Sequence, residues 1–113
     1  MSAPPYHVRR ARPEDAAQLA DLVRALMAHL GDALEGFAPE RFAVDAFGPE
    51  PQFSVLVAES RGTLIGYALF HDAYEPSFAA RGVYLADIYV RPEMRRNTLE
   101  EMGSLFTSFV EMT

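Results

Sequence analysis

Apolar positions along the chain fall into a short alternating run, two helical stripes, a hairpin and a second apolar run. From Tyr6 to Ala11 the residues Tyr6, Val8 and Arg10 alternate with His7, Arg9 and Ala11, which predicts a short strand near a sheet edge. Arg12-Pro13-Glu14-Asp15 opens a helix: proline suits the first helical position, and the two acids favour the positive end of the helix dipole. Ala16, Leu19, Ala20, Val23, Leu26, Met27 and Leu30 then recur every three or four residues as one apolar stripe. Gly31 is placed for a left-handed stop, and His29 is read as a cation near the helix C-terminus. After a connector, Pro39 starts a shorter helix with Phe42, Ala43, Ala46 and Phe47 on one face, ended by Gly48-Pro49. Phe42 and Phe47 read as core, with a cleft lining as the alternative.

Phe53 to Ala58 and Thr63 to Phe70 form an antiparallel hairpin around a turn at Glu59-Ser60-Arg61-Gly62. Gly66 interrupts the returning strand and predicts a bulge or a close backbone approach. His71 to Gly82 is polar and is read as a loop. Tyr84, Leu85, Ile88, Tyr89 and Val90 are apolar on both faces, as in a central strand, and Pro92 ends that strand because it cannot donate to a ladder. Met94-Arg95-Arg96 brings two guanidinium groups to the start of a further helix, a place suited to an anion. Leu99, Met102, Leu105, Phe106, Phe109 and Val110 keep helical spacing in the tail. The order of strand, helix, helix, hairpin, loop, strand predicts a single α+β domain with mostly antiparallel pairs.

Composition narrows the chemistry. The chain has 113 residues and a net charge of −6, and all ten of its cationic side chains are Arg. An acidic chain suits a cationic substrate such as an amine and is a poor nucleic-acid binder. It has no Cys, so it offers no thiolate nucleophile, no disulfide and no Cys-based metal site. The histidines at 7, 29 and 71 are not at metal-ligand spacing, and no metal is expected. No stretch reads as a membrane span or a signal peptide, which gives a cytoplasmic expectation with no membrane partner. Asp87 stands inside an apolar strand, where a carboxylate is costly without a partner, so it is a candidate functional acid.

The run from Tyr84 to Val90 followed by V-R-P-E-M-R resembles the central strand and pyrophosphate turn of the GNAT acyl-CoA N-acetyltransferases. The hairpin G-T-L-I-G-Y-A-L-F is similar to that family's hairpin, and the likeness spans about residues 6–96. Within it, F-H-D-A-Y-E-P-S-F-A-A-R-G-V-Y-L-A-D-I-Y-V-R-P-E looks most like the diamine and thialysine acetyltransferase branch. The resemblance implies a GNAT-like sheet flanked by helices, acetyl-CoA as co-substrate and a small primary amine, polyamine-like ones included, as acceptor. It implies that Asp87 is the catalytic acid facing the amine, with His71 and Tyr74 as further substrate contacts. It also implies that the backbone of Ile88, Tyr89 and Val90 holds the pantetheine and thioester, and that Arg95 and Arg96 meet the pyrophosphate.

The chain departs from the branch at three positions. Ala86 stands where the branch has Glu, so one of two acids is missing. Thr98 and Glu100 stand where the family has glycine or another small residue, so that backbone N–H groups can approach the phosphates. A Thr side chain there obstructs that approach, and a Glu adds like charge. The domain is expected to be incomplete, ending after the central strand and the following helix, before the family's last strands and its Tyr general acid. A truncated or disrupted gene, a partial chain and a short relative are all open as origins. Two functional readings follow: an N-acetyltransferase, or a non-catalytic GNAT-like fragment that self-associates. With an unpaired edge from Tyr84 to Val90, a homodimer is expected.

Overall fold

The computed structural model describes residues 6–95, 98 and 100–104. A short strand β1 (His7–Arg10) leads through a 3-10 turn at Pro13–Asp15 into helix α1 (Ala16–Leu30). Helix α2 (Pro39–Phe47) follows, then strands β2 (Ser54–Ser60), β3 (Thr63–Glu75) and β4 (Ala80–Val90). The four strands form one sheet in chain order, and every described pair is antiparallel.

α1 stops where Gly31 takes a left-handed conformation (φ 76°), as its position predicts. Its buried residues are Leu19, Ala20, Leu22 and Val23. Leu22 lies outside the predicted stripe, and Leu30, inside it, is 61% exposed. The buried face is wider than one stripe because α1 packs on both β3 and α2, and its last turn runs past the sheet. Phe42 of α2 packs edge-on against Phe37 and tilted against Phe53, at 5.6 and 5.3 Å between ring centroids, so its part is core.

The β2–β3 turn is tighter than predicted. Both strands run on to leave only Arg61 and Gly62, each with positive φ, the two-residue form that matches strand twist. Gln18 of α1 accepts from Leu64 N (2.8 Å) and donates to Gly62 O (3.3 Å), which fastens the helix to this turn. A bulge follows: Ala58 pairs with Gly66 and Glu59 with Leu64, leaving Ile65 as the extra residue. It lets Leu64 and Tyr67, three positions apart, both join the cluster under α1, while Ile65 joins the cluster on the opposite face. Gly66 is required there, because a Cβ would lie 2.8 Å from both the Tyr89 carbonyl and Val90 Cγ2. Gly66→Ala is therefore expected to lower stability by on the order of 1 kcal/mol or more, read from urea unfolding.

The segment from His71 to Gly82, expected as a loop, is instead the outer half of a long hairpin. β3 and β4 pair from Gly66–Val90 out to Glu75–Ala80, with a 3-10 turn at Pro76–Phe78 as the tip. This arm reaches beyond the helices, so both of its faces are wet, which is why its sequence is polar without alternation. β4, read from sequence as central, is the edge strand of the described sheet.

The second face of the sheet buries Leu56, Ala58, Ile65, Ala68, Phe70 and Val90 against Met102. Arg95, Thr98 and residues 100–104 are helical. Met102 therefore bears out helical packing in the tail; Leu99, Leu105, Phe106, Phe109 and Val110 lie outside the described residues.

Candidate functional site

The pleat of β3 and β4 decides which side chains meet. Tyr67 pairs with Tyr89 and Leu69 with Asp87, so Tyr67 and Asp87 are diagonal neighbours on the face covered by α1. The Tyr67 hydroxyl donates to Asp87 Oδ2 at 3.2 Å. The Tyr67 side chain is fully buried, whereas Asp87 is half-buried and keeps contact with solvent. Burial, and after it the negative charge of Asp87, pushes the Tyr67 phenol well above its ordinary range, so it stays a donor.

Just beyond Asp87 the register shifts: Leu69 pairs with Asp87 and Phe70 with Leu85, so Ala86 is the extra residue of a second bulge. The position that lacks the branch's second acid is thus the bulged one. Past it, His71 pairs with Tyr84, and their rings lie 5.3 Å apart. Alternation along β3 puts His71 on the Tyr67 and Asp87 face and turns Tyr74 to the other. Of the two expected substrate contacts, only His71 shares a face with Asp87. A shallow groove of about 200 Å³ at the base of the arm is lined by Arg10, Phe53, Phe70, His71 and Asp72 among others, and does not include Asp87.

Backbone polarity along β4 follows from one hydrogen bond. Arg91 N donates to Ile65 O at 2.8 Å, which makes Tyr67–Tyr89 a mutually hydrogen-bonded pair and Gly66–Val90 and Ala68–Ile88 the alternate kind. Ile88 and Val90 therefore direct their N–H and C=O groups away from β3, toward the open edge of the described sheet. Tyr89 directs its own toward β3. Of the three expected backbone contacts, two point outward.

Arg95 sits at the end of this edge. Its Nε donates to Val90 O at 2.7 Å, and its guanidinium lies 5.5 Å from the centre of the Tyr89 ring. Arg96 lies outside the described residues. Thr98 does not stand in the turn as an obstacle: it is helical and 2% exposed, with its side chain turned into the core, while Glu100 is exposed. Among the described residues no cluster of acidic and imidazole groups is arranged to hold a metal ion, and no helix is long and apolar enough to cross a membrane.

Residues 19–99 match the model of the acetyltransferase (GNAT) family. Thialysine N-epsilon-acetyltransferase of Sus scrofa is 32% identical over 98 residues and that of Mus musculus 35%. In each case the match covers 78% of this chain and 56% of the relative, so the chain spans little more than half the length of these proteins. Among solved structures, a possible acetyltransferase from Clostridium difficile 630 superposes with a TM-score of 0.80 at 14% identity, covering 96% of this chain and 72% of that one. A predicted acetyltransferase from Clostridium acetobutylicum, solved with acetyl-CoA, gives 0.76 at 14% identity, covering 96% and 75%. At such identity the likeness speaks to the fold alone, and that fold is the GNAT fold.

Proposed function

The chain belongs to the acetyltransferase (GNAT) family, and we propose that it carries the acetyl-CoA edge and amine-facing acid of an N-acetyltransferase for a small primary amine. One observation carries the reading: a half-buried carboxylate, Asp87, lies on the same strand as two backbone N–H groups, at Ile88 and Val90, that face an open edge. An ammonium group must lose its proton before its nitrogen can attack a thioester. Asp87 holds the ammonium and passes that proton to water. The nitrogen then bonds to the thioester carbon, and a strand N–H steadies the carbonyl oxygen as charge develops on it. The C–S bond breaks, the thiolate of CoA leaves, and the second proton that the nitrogen sheds as the amide forms passes through water to that thiolate.

The other roles follow from position. The outward N–H groups of Ile88 and Val90 and the Ile88 carbonyl pair with the pantetheine arm, the Val90 carbonyl being held by Arg95, while Tyr89 supplies a ring beneath Arg95. Arg95, with Arg96, supplies positive charge for the pyrophosphate. His71, whose ring is tilted against that of Tyr84, borders the amine site; Tyr74 has no part in it, because it faces the other way. Thialysine, the amine in the relatives' names, is the probe of choice. The exposed Tyr74, Phe78 and Tyr84 of the arm (60%, 80% and 58% exposed) suit a homodimer that leaves the Ile88–Val90 edge to acetyl-CoA. They equally suit the competing reading of a non-catalytic module that self-associates. A cysteine-free chain fits a reducing cytoplasm.

Calorimetric titration of acetyl-CoA into the full chain, followed by an acetylation assay with thialysine, separates the two readings. Binding and turnover are expected; heat-silent titration with self-association intact sinks the enzyme in favour of the module. The charge of the phosphate turn has its own test. Because Glu100 is exposed in the first turns of the helix, Glu100→Gln is expected to tighten CoA binding about two- to fivefold at low salt, the scale of one charge near a helix N-terminus. The gain should fade at high salt and be absent for free pantetheine. Thr98→Gly should bring no gain, since that side chain is buried and its loss only weakens the helix.

A further inference from the structure

Asp87 alone is not a defined catalytic group. An aspartate on an edge strand, half open to water, has several staggered χ1 states to choose from. Tyr67 narrows that choice. Its ring is fixed among Leu19, Leu22, Val55, Val57 and Tyr89, so its hydroxyl is presented from the core at one place. That hydroxyl reaches Asp87 Oδ2, while the Asp87 residue as a whole stays half-buried and in contact with solvent. The contact depends on the β3–β4 register, unbroken from Gly66–Val90 to Leu69–Asp87, which sets Asp87 diagonally across from Tyr67 on the α1 face. A phenylalanine would fill the same apolar place, so packing does not account for the hydroxyl. Its burial carries a desolvation cost that the Asp87 bond offsets.

We propose that Tyr67 is a positioning residue, whose buried hydroxyl locks one oxygen of Asp87 so that the other points into the amine site. This role rests on the reading of Asp87 as the acid that meets the amine. The raised phenol supports it, because a hydroxyl that never ionises near neutral pH donates to the carboxylate under all working conditions. The orientation matters to rate, since a carboxylate free to rotate spends only part of its time aimed at the ammonium.

Two measurements test it on the full chain. Scalar couplings about χ1 of Asp87, read by NMR on the unliganded protein, are expected to show one staggered rotamer in the parent and averaged values in Tyr67→Phe. An averaged Asp87 in the parent, or a single rotamer kept in Tyr67→Phe, overturns the proposal. In the thialysine assay, Tyr67→Phe should lower kcat about three- to tenfold, the scale of one lost net hydrogen bond, and leave the KM for acetyl-CoA unchanged. Placed on Asp87→Asn, it should cost much less, because the group it positions no longer acts as a base. An equal loss in both backgrounds marks Tyr67 as merely structural and also overturns the proposal. The couplings decide the positioning role whether or not the parent turns over, whereas absence of turnover sinks only the acetyltransferase reading.

Discussion

Replacing Arg9 with methionine is expected to cost about 2 kcal/mol of folding stability at neutral pH, between the scales for an exposed and a buried ion pair, because Arg9 and Glu59 are part-buried and Asp15 buried. Arg9 projects from β1 toward the start of α1, and its guanidinium is held on two sides. Nη1 and Nη2 donate to Asp15 Oδ2 and Oδ1 at 2.8 and 2.9 Å, and Nε donates to Glu59 Oε1 at 2.8 Å. Asp15 also accepts from Arg12 N at 2.7 Å, so one carboxylate closes the helix entrance and anchors the strand beside it. Methionine keeps most of the packing volume and leaves the Asp15 and Glu59 carboxylates without the guanidinium between them. The Arg9 hydrogen bonds, aided by the Arg12 N–H, hold the Asp15 carboxyl below its usual range against the opposing effect of burial. A depressed folded-state carboxyl contributes stability that is present above its unfolded value, about 3.9, and is lost as pH falls through the folded one. In the variant, protonation relieves the stranded carboxylates instead. The gap between parent and variant should therefore narrow as pH drops below about 4. Urea unfolding at pH 7 and pH 3.5 checks this; a gap that stays constant with pH would remove the ion pairs as its cause.

Sequence periodicity located α1, α2 and the β2–β3 hairpin because each of these buries one face against the sheet or the helices, and burial imposes a period. The arm escaped for the converse reason. From His71 to Gly82 the chain is a strand pair held by backbone hydrogen bonds, with water on both faces and so no apolar alternation to read. The edge place of β4 in the described sheet is expected from the resemblance and not from its composition: Ile88, Tyr89 and Val90 look central because both faces of the sheet are covered at that end, by α1 on one side and Met102 on the other. At the site, Asp87 was legible, since a carboxylate in an apolar strand demands a partner. Tyr67 was not, because its diagonal contact exists only in the β3–β4 register, which the periodicity of either strand alone does not fix. Thr98 misled for a similar reason: a small-residue position was expected in a turn, while the chain there is already helical with the side chain turned inward.

Asp87→Asn is expected to lower kcat/KM for thialysine about a hundredfold, the usual scale for losing a positioned general base. Folding should barely change, because asparagine keeps an oxygen that accepts from Tyr67 and Asp87 is only half-buried. Acetyl-CoA affinity should also hold, since the outward N–H groups of Ile88 and Val90 belong to the backbone. The pattern across substrates is the sharper test. An amine that is already largely neutral at the assay pH has no proton for Asp87 to take, so it should lose far less than thialysine does. Raising the pH toward the amine's own range should recover part of the thialysine rate in the variant, because bulk water then does the deprotonation. A parent and variant with equal rates on thialysine would take Asp87 out of the site. Equal losses on protonated and neutral amines would leave it there as a hydrogen-bond acceptor, and not as the charge that holds the ammonium or the group through which the proton departs.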